Sequence, residues 1–163
     1  MGALVAIIAI LILVGSVMWL KPSAAQQRQT NLRLLARQLG LDMRLCALPQ
    51  TRRARVREEP ARQGVVYRLL RFGEQRKRTF EYLVCRESAE AEWQSETSLE
   101  LPPPLRVQLD KTLAQLPRDV VAFEITPQGC GVYWSERGDE QTVRQLRDLL
   151  AAMQQTIAAA AAN

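Results

Sequence analysis

From Ala3 to Leu20 the chain shows no alternation of apolar and polar positions. Eighteen residues pass without a charged side chain, and only Ser16 is polar. A helix rising 1.5 Å per residue covers about 27 Å over that length, close to the roughly 30 Å hydrocarbon core of a bilayer. The run predicts a single transmembrane helix that meets the bilayer through residues 3–20, with Trp19 and Lys21 at its interface. Beyond it the pattern becomes helical. Leu32, Leu35, Ala36 and Leu39 form one stripe between Pro22, which suits a first turn, and Gly40, a natural stop. It then becomes strand-like. From Asp42 to Leu48, Met43, Leu45 and Ala47 alternate with Asp42, Arg44 and Cys46.

Pro49 to Gly64 has no period and dense charge, and reads as an exposed loop. Val65–Phe72 and Thr79–Arg86 are rich in β-branched and aromatic residues and read as a hairpin. Glu87 to Glu100 reads as an acidic loop with Trp93 as a lid over the sheet. Leu105, Leu109, Leu113 and Leu116 then recur at helical spacing between Pro104 and Pro117. Val120–Thr126 is a strand with Val121, Phe123 and Ile125 on one face. Pro127 to Gly131 turns the chain, and Val132–Ser135 returns. Asp139 caps a last helix carrying Val143, Leu146, Leu150, Met153 and Ile157 on one face. The order predicts an α+β domain, an antiparallel sheet of about five strands with helices packed on one face. The divisions expected are a transmembrane anchor over 1–21, a juxtamembrane basic helix over 22–40, an α+β domain over 41–157 and a frayed alanine tail over 158–163.

Charge sets the expected orientation. Between Lys21 and Arg57 there are nine basic residues and one acid, Asp42; from Glu58 onward there are thirteen basic and sixteen acidic. Lys21, Arg28, Arg33 and Arg37 follow the apolar run and no charged side chain precedes it. The positive-inside rule then places the N-terminus in the periplasm and the domain in the cytoplasm. A cleaved signal ending at Ala25 is the rival. It lacks a basic n-region, its apolar run is too long, and Lys21-Pro22 separates run from site. Cys46, Cys85 and Cys130 are odd in number and widely spaced, which suits a reducing compartment and buried thiols rather than disulfides.

The chain contains no histidine, which excludes Ser-His and Cys-His catalysis and histidine-ligated metal. It has no phosphate-binding glycine loop either. Gly129-Cys130-Gly131 reads as a tight turn rather than a reactive-thiol loop. The acidic pairs Glu58-Glu59 and Asp139-Glu140 are neighbours in sequence and read as solvated, or as complements to a helix dipole. No catalytic residue, cofactor, metal or small-molecule substrate is expected. Two basic sets carry the candidate contacts. Trp19, Lys21, Arg28, Arg33 and Arg37 are candidates for the membrane interface. Arg52, Arg53, Arg55 and Arg57 are candidates for anionic lipid headgroups, since no aromatic residue lies among them to stack nucleic-acid bases.

An uncharged span, a proline and then Ser23-Ala24-Ala25-Gln26-Gln27-Arg28-Gln29 resemble the start of the YajC family, the small accessory subunit of the bacterial preprotein translocase. The resemblance covers residues 1–39. The glycine-rich GDxVxTxGG-type segment of that family has no counterpart, the chain running Leu39-Gly40-Leu41-Asp42-Met43-Arg44 instead. The resemblance implies a single-pass bacterial inner-membrane protein with a protein partner in that membrane. The expectation is a non-catalytic interaction domain, an accessory or scaffold of a membrane complex. The alternatives are a membrane-surface enzyme using a thiol or carboxylate, and a tethered nucleic-acid binder.

Overall fold

A computed structural model of the chain describes residues 2–3, 23–71 and 81–162. The expected span, with Trp19 and Lys21, lies outside the described residues, and no helix among them is long and apolar enough to cross a membrane. The chain divides into two compact units, Met1–Asn31 and Leu32–Asn163. Helix α1, Ala24–Gln38, begins in the first unit. The Ser23 Oγ accepts from the Gln26 N–H at 3.2 Å while Gln26 Oε1 accepts from the Ser23 N–H at 2.9 Å, a reciprocal cap that fixes where the helix starts. Gly40, at φ +78°, ends the turn that follows it.

In the second unit α1 leads into β1 (Leu41–Ala47), α2 (Arg52–Val56), β2 (Gln63–Leu70), β3 (Tyr82–Cys85), β4 (Gln94–Ser95), α3 (Pro103–Gln115), β5 (Val120–Thr126), β6 (Gly129–Trp134) and α4 (Glu140–Ala162). The strands form one antiparallel sheet of six, in the order β1-β2-β6-β5-β3-β4. One face carries the main core. Tyr67, Phe123, Ile125, Val132 and Trp134 from the sheet meet Leu32 and Ala36 of α1, the leucines of α3 and the apolar stripe of α4. All five expected α4 residues, Val143 to Ile157, are fully buried. Burying such side chains contributes about 1.5–3 kcal/mol each, so this one stripe outweighs any single polar contact in the fold.

Several expectations change. The sheet has six strands because the acidic loop contributes the two-residue β4. Among the described residues, the strands expected over Val65–Phe72 and Thr79–Arg86 do not pair with each other as a hairpin. β2 pairs with β1 and β6, and β3 with β5 and β4. The reason lies in β5 and β6, which are buried on both faces and therefore take the centre of the sheet. The reversal between them is Pro127-Gln128 alone, and Gly129-Cys130-Gly131 already belong to β6. Gly129 sits at φ +148°, where a side chain would lie 2.0 Å from the Leu69 carbonyl oxygen. A bulge between Val120 and Ala122 shifts the phase of β5, so Val120 rather than Val121 enters the core beside Phe123. The expected 49–64 loop contains α2, capped by Thr51, whose Oγ1 accepts from the Ala54 N–H. The helix of α4 continues through the alanines expected to fray.

Candidate functional site

The second face of the sheet is where polar residues gather. In β2 the core takes Val65, Tyr67 and Leu69, so Gly64, Val66 and Arg68 point the other way. Register then aligns Asp42, Arg68, Gly131 and Glu124 in one row across four strands. A Cβ on Gly131 would lie 2.8 Å from Arg68 Cγ and 3.1 Å from Glu124 Oε1. Its absence lets the Arg68 stem lie flat across β6 and reach Glu124 with an Nε–H bond. Tyr133 donates its hydroxyl to the other carboxylate oxygen at 2.8 Å. Burial and that bond raise the Tyr133 hydroxyl well above its ordinary value, and the bond to Glu124 raises the Arg68 guanidinium. The two side chains thus form a fixed ion pair on the sheet surface, with Tyr133 as its third member.

Residues 48–62 cross this face as a strap. Leu48 folds over Gly64, where a side chain would lie 2.4 Å from Leu48 Cδ2. On the far side Thr51 donates to Glu87 at 3.0 Å, the Arg52 N–H donates to Glu96 at 3.1 Å, and Arg55 forms an ion pair with Glu96. Under the strap Val66, Cys85 and Ala122 are buried apart from the main core. Between the strap and residues 86–91 opens a cavity of about 340 Å³, walled by Leu48, Pro60 and Val121 and edged by Arg62, Glu59 and Glu87. Arg86 also lines it, but its guanidinium is committed. It donates to the carbonyls of Val120 at 2.7 Å, Ala89 at 3.4 Å and Pro117 at 2.5 Å, and stacks 4.5 Å from the Trp93 ring centre. Burial lowers its pKa from the usual arginine value. Trp93 packs against the main core at this corner.

Of the candidate headgroup residues, Arg52, Arg53 and Arg55 fall on α2 and Arg57 is its C-cap. Arg52, Arg53, Arg55 and Arg57 are all exposed; Arg55 is paired with Glu96, and Arg57 lies 3.7 Å from Glu59. Of the interface set, Arg28 and Arg37 are exposed on α1. Arg33 is different. Its Nε and Nη2 donate to the two oxygens of Glu136 at 2.9 and 2.6 Å, and Tyr67 donates to Glu136 at 2.7 Å. Glu136 is 3% exposed and sits at φ +57°, held by this three-residue knot. The bond to Glu136 raises the Arg33 pKa, and burial raises that of Tyr67. The structure thus gathers the α2 arginines on one short helix and ties Arg33 to the β6–α4 connection.

The thiols of Cys85 and Cys130 are buried, and that of Cys46 is half-buried on the polar face. Cys130 donates its S–H to the Leu150 carbonyl at 3.3 Å and is 1% exposed, and burial pushes its pKa up to about 12. Burial likewise pushes Cys85 up to about 12 and raises Cys46. Among the described residues no three side chains of the metal-ligating kind converge.

Sequence reasoning did not find the strap contacts Thr51, Glu87 and Glu96, nor the Arg68–Glu124 pair. Thr51 three residues before Ala54 is a helix-start signal within an arginine run. Glu124 is the one charge inside VVAFEIT, and such a residue must find a partner. No protein-family model, curated protein or solved structure matches this chain.

Proposed function

We propose that the chain is a single-pass bacterial inner-membrane protein. Its α+β domain serves on the cytoplasmic side as a non-catalytic interaction module, an accessory or scaffold of a membrane complex. The observation that carries this reading is the uncharged run Ala3–Leu20 followed by four basic residues before the first acid, Asp42. The geometry adds support. Arg68, Glu124, Arg86, Arg33 and Glu136 are all engaged in holding the fold, and burial favours the protonated thiol at Cys85 and Cys130. The likeness of residues 1–39 to YajC makes a translocase-associated partner the first to look for.

The test is membrane extraction of the full chain. It should resist alkaline carbonate, dissolve in mild detergent and keep its own N-terminus. A mature protein beginning at Gln26, or release by carbonate, overturns the anchor. A protein partner should co-purify in mild detergent; recovery of the chain alone from native membranes counts against the accessory role. The exposed arginines of α2 supply a secondary contact, to anionic headgroups, each worth up to about 1 kcal/mol near the surface. In lipid nanodiscs, trypsin should cut at Arg52–Arg57 more slowly with anionic than with neutral lipid, and salt at about 0.5 M should erase the difference. Equal rates in both lipids overturn the headgroup contact.

A further inference from the structure

The two edges of the sheet are unequal. β4 is two residues long, which protects that edge by brevity. β1 is seven residues long and pairs only with β2 among the described residues. The hydrogen-bond phase of β1 follows from one bond. Leu48 N–H donates to Arg62 O at 2.7 Å, in the register that aligns Leu41 with Leu69. Bonds therefore close at alternate pairs, and Asp42, Arg44 and Cys46 turn their backbone groups toward β2. The next ladder agrees, since the Arg71 N–H donates to Gln128 O at 2.7 Å and so assigns the odd residues of β2 to β6. By alternation the N–H and C=O groups of Met43, Leu45 and Ala47 face away from the sheet. Leu45 is also 73% exposed, the second most exposed of the large hydrophobic residues named in the fold after Val56.

The sequence of this edge is self-complementary. Leu41-Asp42-Met43-Arg44-Leu45 reads apolar, acidic, apolar, basic, apolar. We propose that β1 is the interface of a homodimer, pairing antiparallel with β1 of a second copy about a two-fold axis through Met43 and extending the six-stranded sheet to twelve strands. In that register Met43 meets Met43 of the second copy as a hydrogen-bonded pair, which uses the outward backbone groups the edge presents. Leu45 meets Leu41 of the second copy. Asp42 meets Arg44 of the second copy, and Arg44 meets its Asp42, on the polar face. Within one chain Arg44 Nε already lies 3.3 Å from Asp42 Oδ2, so both charges stand on the same side of the strand where the partner charges arrive. The alternative axis, through Arg44, would set two arginines face to face, which like-charge repulsion disfavours. A partner of other sequence would need its own D-x-R spacing, whereas a second copy brings it. The proposal does not rest on the membrane reading.

The test uses the full chain in mild detergent. With Cys46→Ser as background, Met43→Cys should give a disulfide-linked dimer on oxidation, because a hydrogen-bonded pair holds its Cα atoms about 5.5 Å apart. Leu45→Cys should not, because the two copies of that position lie about 14 Å apart in this register. Asp42→Arg and Arg44→Asp should each weaken self-association about tenfold in sedimentation, since two attractive pairs become repulsive. The double exchange Asp42→Arg with Arg44→Asp should restore it, which no misfolded single variant would do. Linking at position 45 as readily as at 43, a chain that stays monomeric, or association unchanged by the single charge variants overturns the proposal. So does a double exchange that fails to restore pairing.

Discussion

Gly131 is the residue on which the polar face turns. It leaves room beside β6 for the Arg68 stem, and the pair with Glu124 exists because that room exists. Gly131→Ala should push Arg68 off the sheet and leave a carboxylate that is 6% exposed without its cation. The expected loss is about 1–3 kcal/mol. Urea unfolding reads it, and in an Arg68→Ala background the same change should cost much less, since the two sites share the contact. The thiols give a second prediction. Cys85 and Cys130 rise from an ordinary value near 9 to about 12 in the folded chain. The unfolded thiols therefore lose protons first. Stability from these groups is complete below pH 9 and is lost as pH rises from about 9 toward 12. Chemical denaturation across that window should show a falling midpoint, with a shallower fall for Cys130→Ala. A midpoint independent of pH there would contradict the buried placement.

At the scale of elements, the strap illustrates how a segment without periodicity acquires a position. Pro49 to Gly64 shows no repeat because its contacts are single and distant. Thr51 reaches Glu87, Arg55 reaches Glu96, and Leu48 reaches across Gly64. None of these partners could be read from spacing, since each lies in or just beyond a strand whose place in the sheet is set by other strands. The helices were legible for the opposite reason. The stripes of α3 and α4 repeat within one element, and each repeat reports burial on the same face. The β2–β3 hairpin was misread because adjacency in sequence is a prior for pairing, and the more apolar β5–β6 pair displaced it. The charge run marks the arginines of α2 as a basic surface, whereas the pairing of Arg33 with Glu136, 103 residues away, leaves no mark in the sequence pattern. Gly64→Ala tests the strap directly. The new methyl would displace Leu48, and hydrogen exchange across 48–57 should speed up while that of β5 and β6 stays unchanged. Slow exchange retained in the strap would show that Leu48 does not anchor it.

For the whole molecule, two asymmetries coexist. One face of the sheet is sealed by three helices, and the other is crossed by a single strap bearing five arginines. One edge is two residues long and the other seven. On the strap side Arg52, Arg53, Arg55 and Arg57 are exposed, and the long edge leaves Leu45 exposed as well.

The insertion of β6 and β5 between β2 and β3 also has a meaning in time. A ribosome delivers β1 to β4 first, yet the two middle strands that join β2 to β3 come from residues 120–134. Until those residues emerge, β1–β2 and β3–β4 are two separate ribbons with their apolar faces bare, and two-stranded ribbons are marginal in water. Completion of the sheet is therefore a late, nearly all-or-none event that waits on the synthesis of β5 and β6, with the slow closure expected of pairings distant in sequence. Nascent chains arrested at Pro117 should be digested throughout β1 to β4, while chains released after α4 should resist. Protection of β3 before Trp134 has been made would show that the early ribbons find a partner elsewhere, and until then the unfinished chain is the form most exposed to chaperones and proteases.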